Sequence, residues 1–207
     1  VIYSSARNAY IVPRMKRMMN RTVWAMTKQL RKGSFKPEGY EVSFGSGKID
    51  RIDTCETEDQ VYVKILDYKT GAKSFDMAAF YHGLQMQLVV YMEEAVRLEE
   101  RKHPGKKIVP AGIFYYRMKD PIVGKELDEE KLEEAILKEL RLDGIIRQED
   151  TVIQRLDADF SGNSLVIPAG KTKSGYSKAS KMLLPEEFDA VLTYAQKRRT
   201  DLQGAMY

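Results

Sequence analysis

The sequence predicts an α/β fold in which a central mixed β-sheet is flanked by helices. Apolar residues alternate or run together in the way that strands require over residues 40–44, 47–53, 61–67 and 108–116. They recur at helical spacing over residues 13–32 and 75–101, before and after the first three of these strands. Strands that are separated by helices in this order indicate a sheet covered by helices.

Length and composition fit one soluble globular domain. The chain has 207 residues, of which 43% are hydrophobic and 31% are charged, and its net charge of +4 is too small to indicate a nucleic-acid partner by itself. Its single cysteine, Cys55, excludes a disulfide framework and fits a reducing compartment. Because no apolar run is long enough to span a membrane and no signal peptide is evident, we expect a cytoplasmic protein without a membrane partner.

We predict a single domain over residues 1–207. Because the chain does not begin with methionine, we expect it to be a fragment of a larger protein. The core of the domain is predicted over about residues 38–120. A basic helix over residues 13–32 precedes that core, and a helical extension over residues 125–207 follows it.

The N-terminal helix has one apolar and one basic face. Pro13 suits its first turn, and Gly33 suits its C-terminal stop. The apolar stripe, which we expect to be buried, comprises Met15, Met18, Met19, Val23, Met26 and Leu30. No acid precedes Glu38. The basic face is either solvated, a docking surface for a partner, or a contact for DNA phosphates through Arg17 and Arg21.

A β-hairpin is predicted over residues 47–71, because two strand-like runs flank a polar turn at residues 56–60. If the turn is centred in that run, Asp50 faces Asp67 across the two strands. Directly opposed side chains share a face of the sheet, with Cβ atoms about 5 Å apart. Lys69 is two residues beyond Asp67 and therefore lies on the same face.

Two carboxylates this close repel each other unless a cation lies between them. Mg²⁺ or Mn²⁺ is the natural cation, because Mg²⁺ takes oxygen ligands and binds phosphate oxygens. The alternative is that Asp50 and Asp67 are solvated acids at strand ends, with Lys69 in a weak surface pair. Two other acids are candidates for the site. Glu41 lies in the preceding strand, and Asp53 lies on the opposite face, across from Lys64, unless a bulge changes the register.

Three motifs follow one another along this chain: Gly47-Lys-Ile-Asp50, a strand that ends in Asp67-Tyr-Lys-Thr-Gly71, and Gln87-x-x-x-Tyr91 on the next helix. Taken in this order, they resemble the motifs of RecB-type nucleases of the PD-(D/E)xK superfamily. Residues 47–53, 81–88 and 110–121 are also similar to the nuclease domains in the B subunits of AddAB-type helicase–nucleases.

The resemblance implies a restriction-endonuclease-like core with a hydrolytic site. The implied catalytic residues are Asp50, Asp67, Lys69, Gln87 and Tyr91. The backbone carbonyl of Tyr68 would be a further metal ligand beside the two aspartates. Taken alone, the glutamine and tyrosine are better explained as a core tyrosine with a satisfied glutamine. After Asp67-Tyr-Lys69, the structural and the catalytic explanations are about equally good. The family pattern often has a histidine upstream, and none precedes His82 here, so Glu41 is the candidate for that position.

The resemblance also implies a function and partners. We expect a Mg²⁺-dependent DNA exonuclease domain that acts in double-strand-break repair and recombination, on a single strand fed by a helicase that includes an A-type subunit. The B subunits carry an iron–sulfur cluster on four cysteines, and Cys55 alone cannot supply them, so the cluster is expected only in the intact protein. The alternatives are a degenerate nuclease-like module that binds DNA or protein, and a free-standing RecB-like exonuclease.

The remaining elements are predicted from local signals. The helix over residues 75–101 should bury Leu84, Leu88, Tyr91, Met92 and Ala95. A further helix over residues 128–142 has Asp128 as its N-cap, and residues 165–168 form a short edge strand. Residues 169–178 form a flexible basic loop, solvated or in contact with DNA through Lys171, Lys173 and Lys178. A terminal helix begins at Pro185, and Tyr194 is among the residues available for its buried face.

Overall fold

A six-stranded mixed β-sheet forms the centre of the protein, as predicted. The computed structural model describes residues 6–45, 47–71, 74–123, 128–158 and 160–204. The strands are β1 (Lys36–Phe44), β2 (Gly47–Glu56), β3 (Gln60–Lys69), β4 (Lys107–Arg117), β5 (Asp143–Arg147), β6 (Lys171–Thr172), β7 (Gly175–Tyr176) and β8 (Met182–Leu183). The sheet has the order β1-β2-β3-β4-β5-β8, with β3–β4 and β5–β8 parallel and the other pairs antiparallel.

Helices cover both faces of this sheet. They are α1 (Ala6–Leu30), α2 (Met77–Tyr81), α3 (Gln87–Lys102), α4 (Glu129–Glu139), α5 (Asp150–Leu156) and α6 (Pro185–Gly204). On one face, Leu88 and Met92 of α3 and Phe188 of α6 join the buried side chains of the sheet. On the other face, α5 packs on the sheet and α1 packs against α4. None of the described helices is long and apolar enough to cross a membrane.

The β2–β3 hairpin has the predicted register. Arg51 pairs with Leu66, and Asp53 pairs with Lys64. The turn closes where the polar run predicts it, with the amide of Thr57 donating to the carbonyl of Gln60 at 2.8 Å. Residues 51–56 and 61–66 therefore lie on their predicted faces of the sheet.

Helix α1 differs from its prediction in two ways. It begins at Ala6, so Pro13 lies inside it rather than in its first turn. The stripe that was expected to be buried is instead largely exposed, with Met15 at 50%, Met19 at 57% and Val23 at 64% exposure. The helix buries a neighbouring stripe that includes Gln29, whose amide donates to the carbonyl of Leu140 at 3.0 Å. The buried hydrogen bond and the packing on α4, rather than hydrophobicity alone, decide the rotation of the helix.

The single helix expected over residues 75–101 is two helices. Asp76 caps α2 by accepting hydrogen bonds from the amides of Ala78 and Ala79. The chain then turns at Gly83, which has a positive φ of 76°, before α3 begins. Leu84 lies in this turn and is 77% exposed, so its predicted burial is wrong.

The segment after residue 125 is more than a helical extension, because β5 and β8 join the central sheet. Residues 165–168 do not form the predicted strand; the hydroxyl of Ser164 accepts hydrogen bonds from the amides of Val166 and Ile167 and folds the segment into a turn. The basic residues 169–178 are folded into the small β6–β7 hairpin. The predicted N-cap Asp128 is confirmed, and α6 begins at Pro185 as predicted, although Tyr194 is 49% exposed.

Candidate active site

Asp50 and Asp67 face each other across β2 and β3. Because Arg51 pairs with Leu66, the next position along the two antiparallel strands places Asp50 opposite Asp67. Both lie on the face of the sheet that α3 covers. The predicted pair of acids is therefore brought together by the hairpin itself.

Asp50 is half-buried, and its Oδ2 accepts a hydrogen bond from the amide of Tyr68 at 2.8 Å. Burial raises the pKa of the Asp50 carboxyl, and the negative charges of Asp67 and Glu41 raise it further. The hydrogen bond from Tyr68 and the positive charge of Lys69 oppose this rise in pKa without cancelling it. Asp50 thus carries a negative charge that the protein only partly compensates.

Asp67 is 4% exposed and forms an ion pair with Lys69. The Lys69 ammonium lies against Oδ2 of this carboxylate, and this ion pair offsets part of the cost of burying the Asp67 charge. The positive charge of Lys69 also acts on Asp50. Lys69 therefore lies close to both of the opposed carboxylates.

The predicted ligand role of the Tyr68 carbonyl agrees with the direction of its backbone. In an antiparallel pair, the N–H and C=O groups of one residue point toward the same neighbouring strand. The amide of Tyr68 points at Asp50, so we expect its carbonyl to face the same side. The phenol of Tyr68 lies on the other face of the sheet, 3.4 Å from the guanidinium of Arg51.

Glu41 extends the pair of acids onto β1. Its neighbours Tyr40 and Val42 pair with Arg51 and Ile49, which places Glu41 across from Asp50. The side chain is exposed and forms an ion pair with Lys48. Glu41 has a φ of 52°, the left-handed region that costs a residue with a Cβ about 1–3 kcal/mol. Backbone strain of this kind is concentrated at functional sites.

The same row continues across the rest of the sheet. Asp67 pairs with Tyr115 of β4, and Tyr115 pairs with Asp143 of β5. The Lys69 ammonium lies 5.4 Å from the centre of the Tyr115 ring. Burial raises the pKa of the Tyr115 phenol, and the charges of Asp67 and Asp143 add to that rise. We call Glu41, Asp50, Asp67, Tyr115 and Asp143 the acid row.

Asp143, at the end of the row, fixes the loop that follows β3. Its Oδ2 accepts a hydrogen bond from the amide of Phe75 at 2.9 Å, and its Oδ1 accepts one from Lys181 at 2.6 Å. Tyr115 and Asp143 were not predicted as members of the site. Alternation along residues 108–116 could have assigned a face to Tyr115, but the pairing of β4 with β5 has no local signal.

Gln87 and Tyr91 lie beside the acid row, on the first turns of α3. The Gln87 amide donates to the Tyr91 hydroxyl at 2.6 Å. The Tyr91 ring packs edge-on against Phe44 of β1, with 5.5 Å between ring centres. Tyr91 also lies close enough to Tyr115 to contribute to the raised pKa of that phenol. The structure therefore brings all five predicted catalytic residues to one region.

Comparison with known proteins identifies the family of this chain. The model of the PD-(D/E)XK nuclease superfamily matches residues 2–198. The chain belongs to the PD-(D/E)XK nuclease superfamily.

Similar proteins are named as the B-type subunit of an ATP-dependent helicase/deoxyribonuclease. The protein from Alkaliphilus metalliredigens is 36% identical over 220 residues, covering 95% of this chain and 19% of the relative. The protein from Lachnoclostridium phytofermentans is 37% identical over 212 residues, covering 94% and 18%. The protein from Caldanaerobacter subterraneus subsp. tengcongensis is 34% identical over 230 residues, covering 100% and 20%. The chain thus spans about a fifth of the length of these relatives.

Asp53 was a further candidate for the metal site, but it does not belong to the acid row. It is 0% exposed on the opposite face of the sheet. Arg51 donates to its two oxygens at 2.5 and 2.7 Å, and the Lys64 ammonium lies 3.4 Å away. Two cations therefore saturate this carboxylate, and no bulge turns it toward Asp67.

The residues predicted to contact DNA lie outside the acid row. Arg17 and Arg21 of α1 form ion pairs with Asp120 at 3.6 and 3.9 Å, so part of their charge is compensated within the chain. Three lysines lie in the segment of the β6–β7 hairpin and are exposed: Lys171, Lys173 and Lys178. Their contact with DNA stays a prediction.

The acid row fits the divalent cation that the superfamily implies. Asp50 and Asp67 offer carboxylate oxygens, and Lys69 is the cation that faces the Asp67 carboxylate. Oxygen donors on opposed strands, with uncompensated negative charge, are the donor set that Mg²⁺ prefers. The acid Asp53, by contrast, has no coordination capacity left.

Proposed function

We propose that this chain is a metal-dependent deoxyribonuclease domain that hydrolyses phosphodiester bonds in DNA, in the manner of an exonuclease. The observation that supports the proposal is the pairing of Asp50 with the buried Asp67, next to Lys69, on the α3 face of the sheet. The superfamily match supports the same chemistry. In the reaction, water adds to phosphorus as the bridging P–O bond breaks, which leaves a phosphate and a hydroxyl.

Each residue of the site has a role in this proposal. Asp50, Asp67 and the carbonyl of Tyr68 hold the ion, which is Mg²⁺ or Mn²⁺. When bound, this ion lowers the pKa of water and neutralises charge that develops on the phosphate. Lys69 donates a hydrogen bond to the attacking water or to a phosphate oxygen. Gln87 and Tyr91, whose side chains are hydrogen-bonded to each other, orient the strand.

The names of the relatives suggest the setting of this activity. They are subunits of an ATP-dependent helicase/deoxyribonuclease, and we propose that this chain is the nuclease domain of such a subunit. A helicase with an A-type subunit would feed it a single strand of DNA during double-strand-break repair in the cytoplasm. The iron–sulfur cluster of the intact protein would take its cysteines from outside this chain.

Cleavage of end-labelled single-stranded DNA tests the activity. The wild-type chain should cut with Mg²⁺ or Mn²⁺ and not with EDTA. The variant Asp67→Asn should not cut, because it loses one of the two opposed carboxylates. The matched control is Asp59→Asn, an exposed acid in the turn of the same hairpin, which should cut as the wild type does.

A catalytically degenerate DNA-binding module is the second candidate. The absence of a histidine before His82 is the observation that favours it. A chain that binds the labelled strand but does not cut it with either metal, even when joined to the flanking regions of a full-length relative, would establish this second function and exclude the first.

A further inference from the structure

A second group of ligand-type side chains lies at the end of the hairpin opposite to the acid row. Glu38 of β1, Glu99 near the end of α3, and His103 just after α3 have ligand atoms that all lie within 4.8 Å of one another. Glu99 is twelve residues after Gln87, which corresponds to about 18 Å along the helix. The group is therefore separate from the metal site of the proposed nuclease.

Glu99 is the buried member of this group. Its side chain is 0% exposed, and its Oε2 makes no hydrogen bond among the described residues. Nε2 of His103 lies 3.3 Å from this oxygen. Two ligands bonded at about 2.0–2.1 Å to one tetrahedral zinc lie about 3.4 Å apart. The buried oxygen and the imidazole nitrogen thus have the spacing of two ligands on one ion.

The groups around these side chains orient them as metal ligands are usually oriented. Nδ1 of His103, the other ring nitrogen, lies 3.5 Å from Oε1 of Glu56. A histidine that binds a metal through one nitrogen commonly directs the other at a carboxylate, which fixes the ring and makes it more basic. Glu38 is held in a similar way, because its Oε2 accepts a hydrogen bond from the hydroxyl of Thr54 at 2.7 Å.

The Lys102 ammonium lies within this group. Its Nζ donates to Oε1 of Glu38 at 2.8 Å and to Oε1 of Glu99 at 2.7 Å. The side chain of Lys102 is 47% exposed, so it can turn into solvent. An ammonium held between two carboxylates occupies the position that a metal cation would take between them.

We propose that Glu38, Glu99 and His103 form a zinc site, in which zinc displaces the ammonium of Lys102. The two carboxylates and the imidazole supply three protein ligands, and water completes a tetrahedral shell. The imidazole favours zinc over Mg²⁺, which prefers oxygen ligands alone. Zinc bound here connects the start of β1 to the end of α3, the helix that carries Gln87 and Tyr91.

Zinc titration by calorimetry tests this site without reference to nuclease activity. The titrated protein carries Asp50→Asn and Asp67→Asn, so that the acid row does not bind the ion. We expect one equivalent of zinc to bind. Adding His103→Gln should weaken binding by about tenfold or more, since a lost ligand costs no less than a lost outer partner. Adding Glu100→Gln, an exposed glutamate next to Glu99, should change nothing.

The Lys102→Met variant supplies the opposite result, a gain of affinity. Because this variant has no ammonium to compete with zinc, the site should bind zinc about tenfold more tightly. When zinc is absent, the variant leaves the buried charge of Glu99 without the compensation of Lys102. This variant should therefore melt at a lower temperature than the wild type in EDTA and recover with zinc. The proposal is wrong if zinc binds neither to the protein with Asp50→Asn and Asp67→Asn nor to the same protein with Lys102→Met added. It is also wrong if adding His103→Gln leaves the zinc affinity unchanged. In either case the group is an ion network centred on Lys102.

Discussion

Asp50 and Asp53 lie three residues apart on β2, on opposite faces of the sheet. Asp53 is completely buried, and the side chains of Arg51 and Lys64 neutralise it. Asp50 is half-buried and faces Asp67, so its pKa is raised rather than lowered. One strand thus carries an acid whose charge is satisfied within the fold and an acid whose charge is left for a ligand.

The contrast between these two acids shows how the protein separates stability from function. On the Asp53 face, burial lowers the pKa of Lys64, and the negative charge of Asp53 opposes that fall. Asp53 lies between two cations, Arg51 and Lys64, so its own charge is compensated within the fold. On the Asp50 face, the acids outnumber the nearby cations, which is unfavourable until a divalent cation binds. Four substitutions test this division, from the largest expected effect to the smallest.

Asp67→Asn should reduce DNA cleavage by about 1,000-fold or more, because the remaining acids cannot hold the ion in place. The fold should be retained, since asparagine has the same shape. Cleavage rates and melting temperature measured side by side check this prediction. Loss of DNA binding and of thermal stability together would show that Asp67 is structural.

Asp53→Asn should destabilise the fold by about 3–5 kcal/mol, because it leaves Arg51 and Lys64 as uncompensated buried cations. Denaturant unfolding measures this change. At temperatures where the variant is still folded, its metal affinity should equal that of the wild type. A stable variant that has lost metal binding would instead make Asp53 a ligand.

Tyr91→Phe should lower the cleavage rate by about tenfold, which corresponds to the loss of one hydrogen bond, the one from Gln87. The phenylalanine ring keeps its contact with Phe44, so the melting temperature should stay near that of the wild type. Steady-state kinetics on labelled DNA give the comparison. An unchanged rate would assign Tyr91 to packing alone.

Asp50→Asn should slightly raise the melting temperature in metal-free buffer near neutral pH. The pKa of Asp50 is raised above its ordinary 3.8 in the folded protein. As the pH rises, the unfolded chain therefore loses the Asp50 proton before the folded protein does. Stability falls between the pKa of Asp50 in the unfolded chain and its higher pKa in the folded protein. Asparagine does not titrate, so its advantage should vanish below about pH 3.8. An advantage that is independent of pH would rule out this cause.

The hairpin half of the site could be predicted from the sequence, because a short turn fixes the register of two antiparallel strands. That register placed Asp50 opposite Asp67 and Asp53 opposite Lys64. The other half could not be predicted, because Tyr115 joins the row through a parallel pairing whose register is set by packing over a long connection. The face of α1 was predicted wrongly for a related reason: the buried amide of Gln29, which hydrophobicity does not reveal, helps to orient the helix.

The position of bound Mn²⁺, located by anomalous X-ray scattering from soaked crystals, is the most direct test of the proposed metal site. We expect an anomalous peak between the carboxylates of Asp50 and Asp67, and none beside Asp53. The same soak of Asp67→Asn crystals should lose that peak. A crystal form that cleaves DNA with Mn²⁺ and shows no peak at the Asp50–Asp67 pair would contradict the proposal.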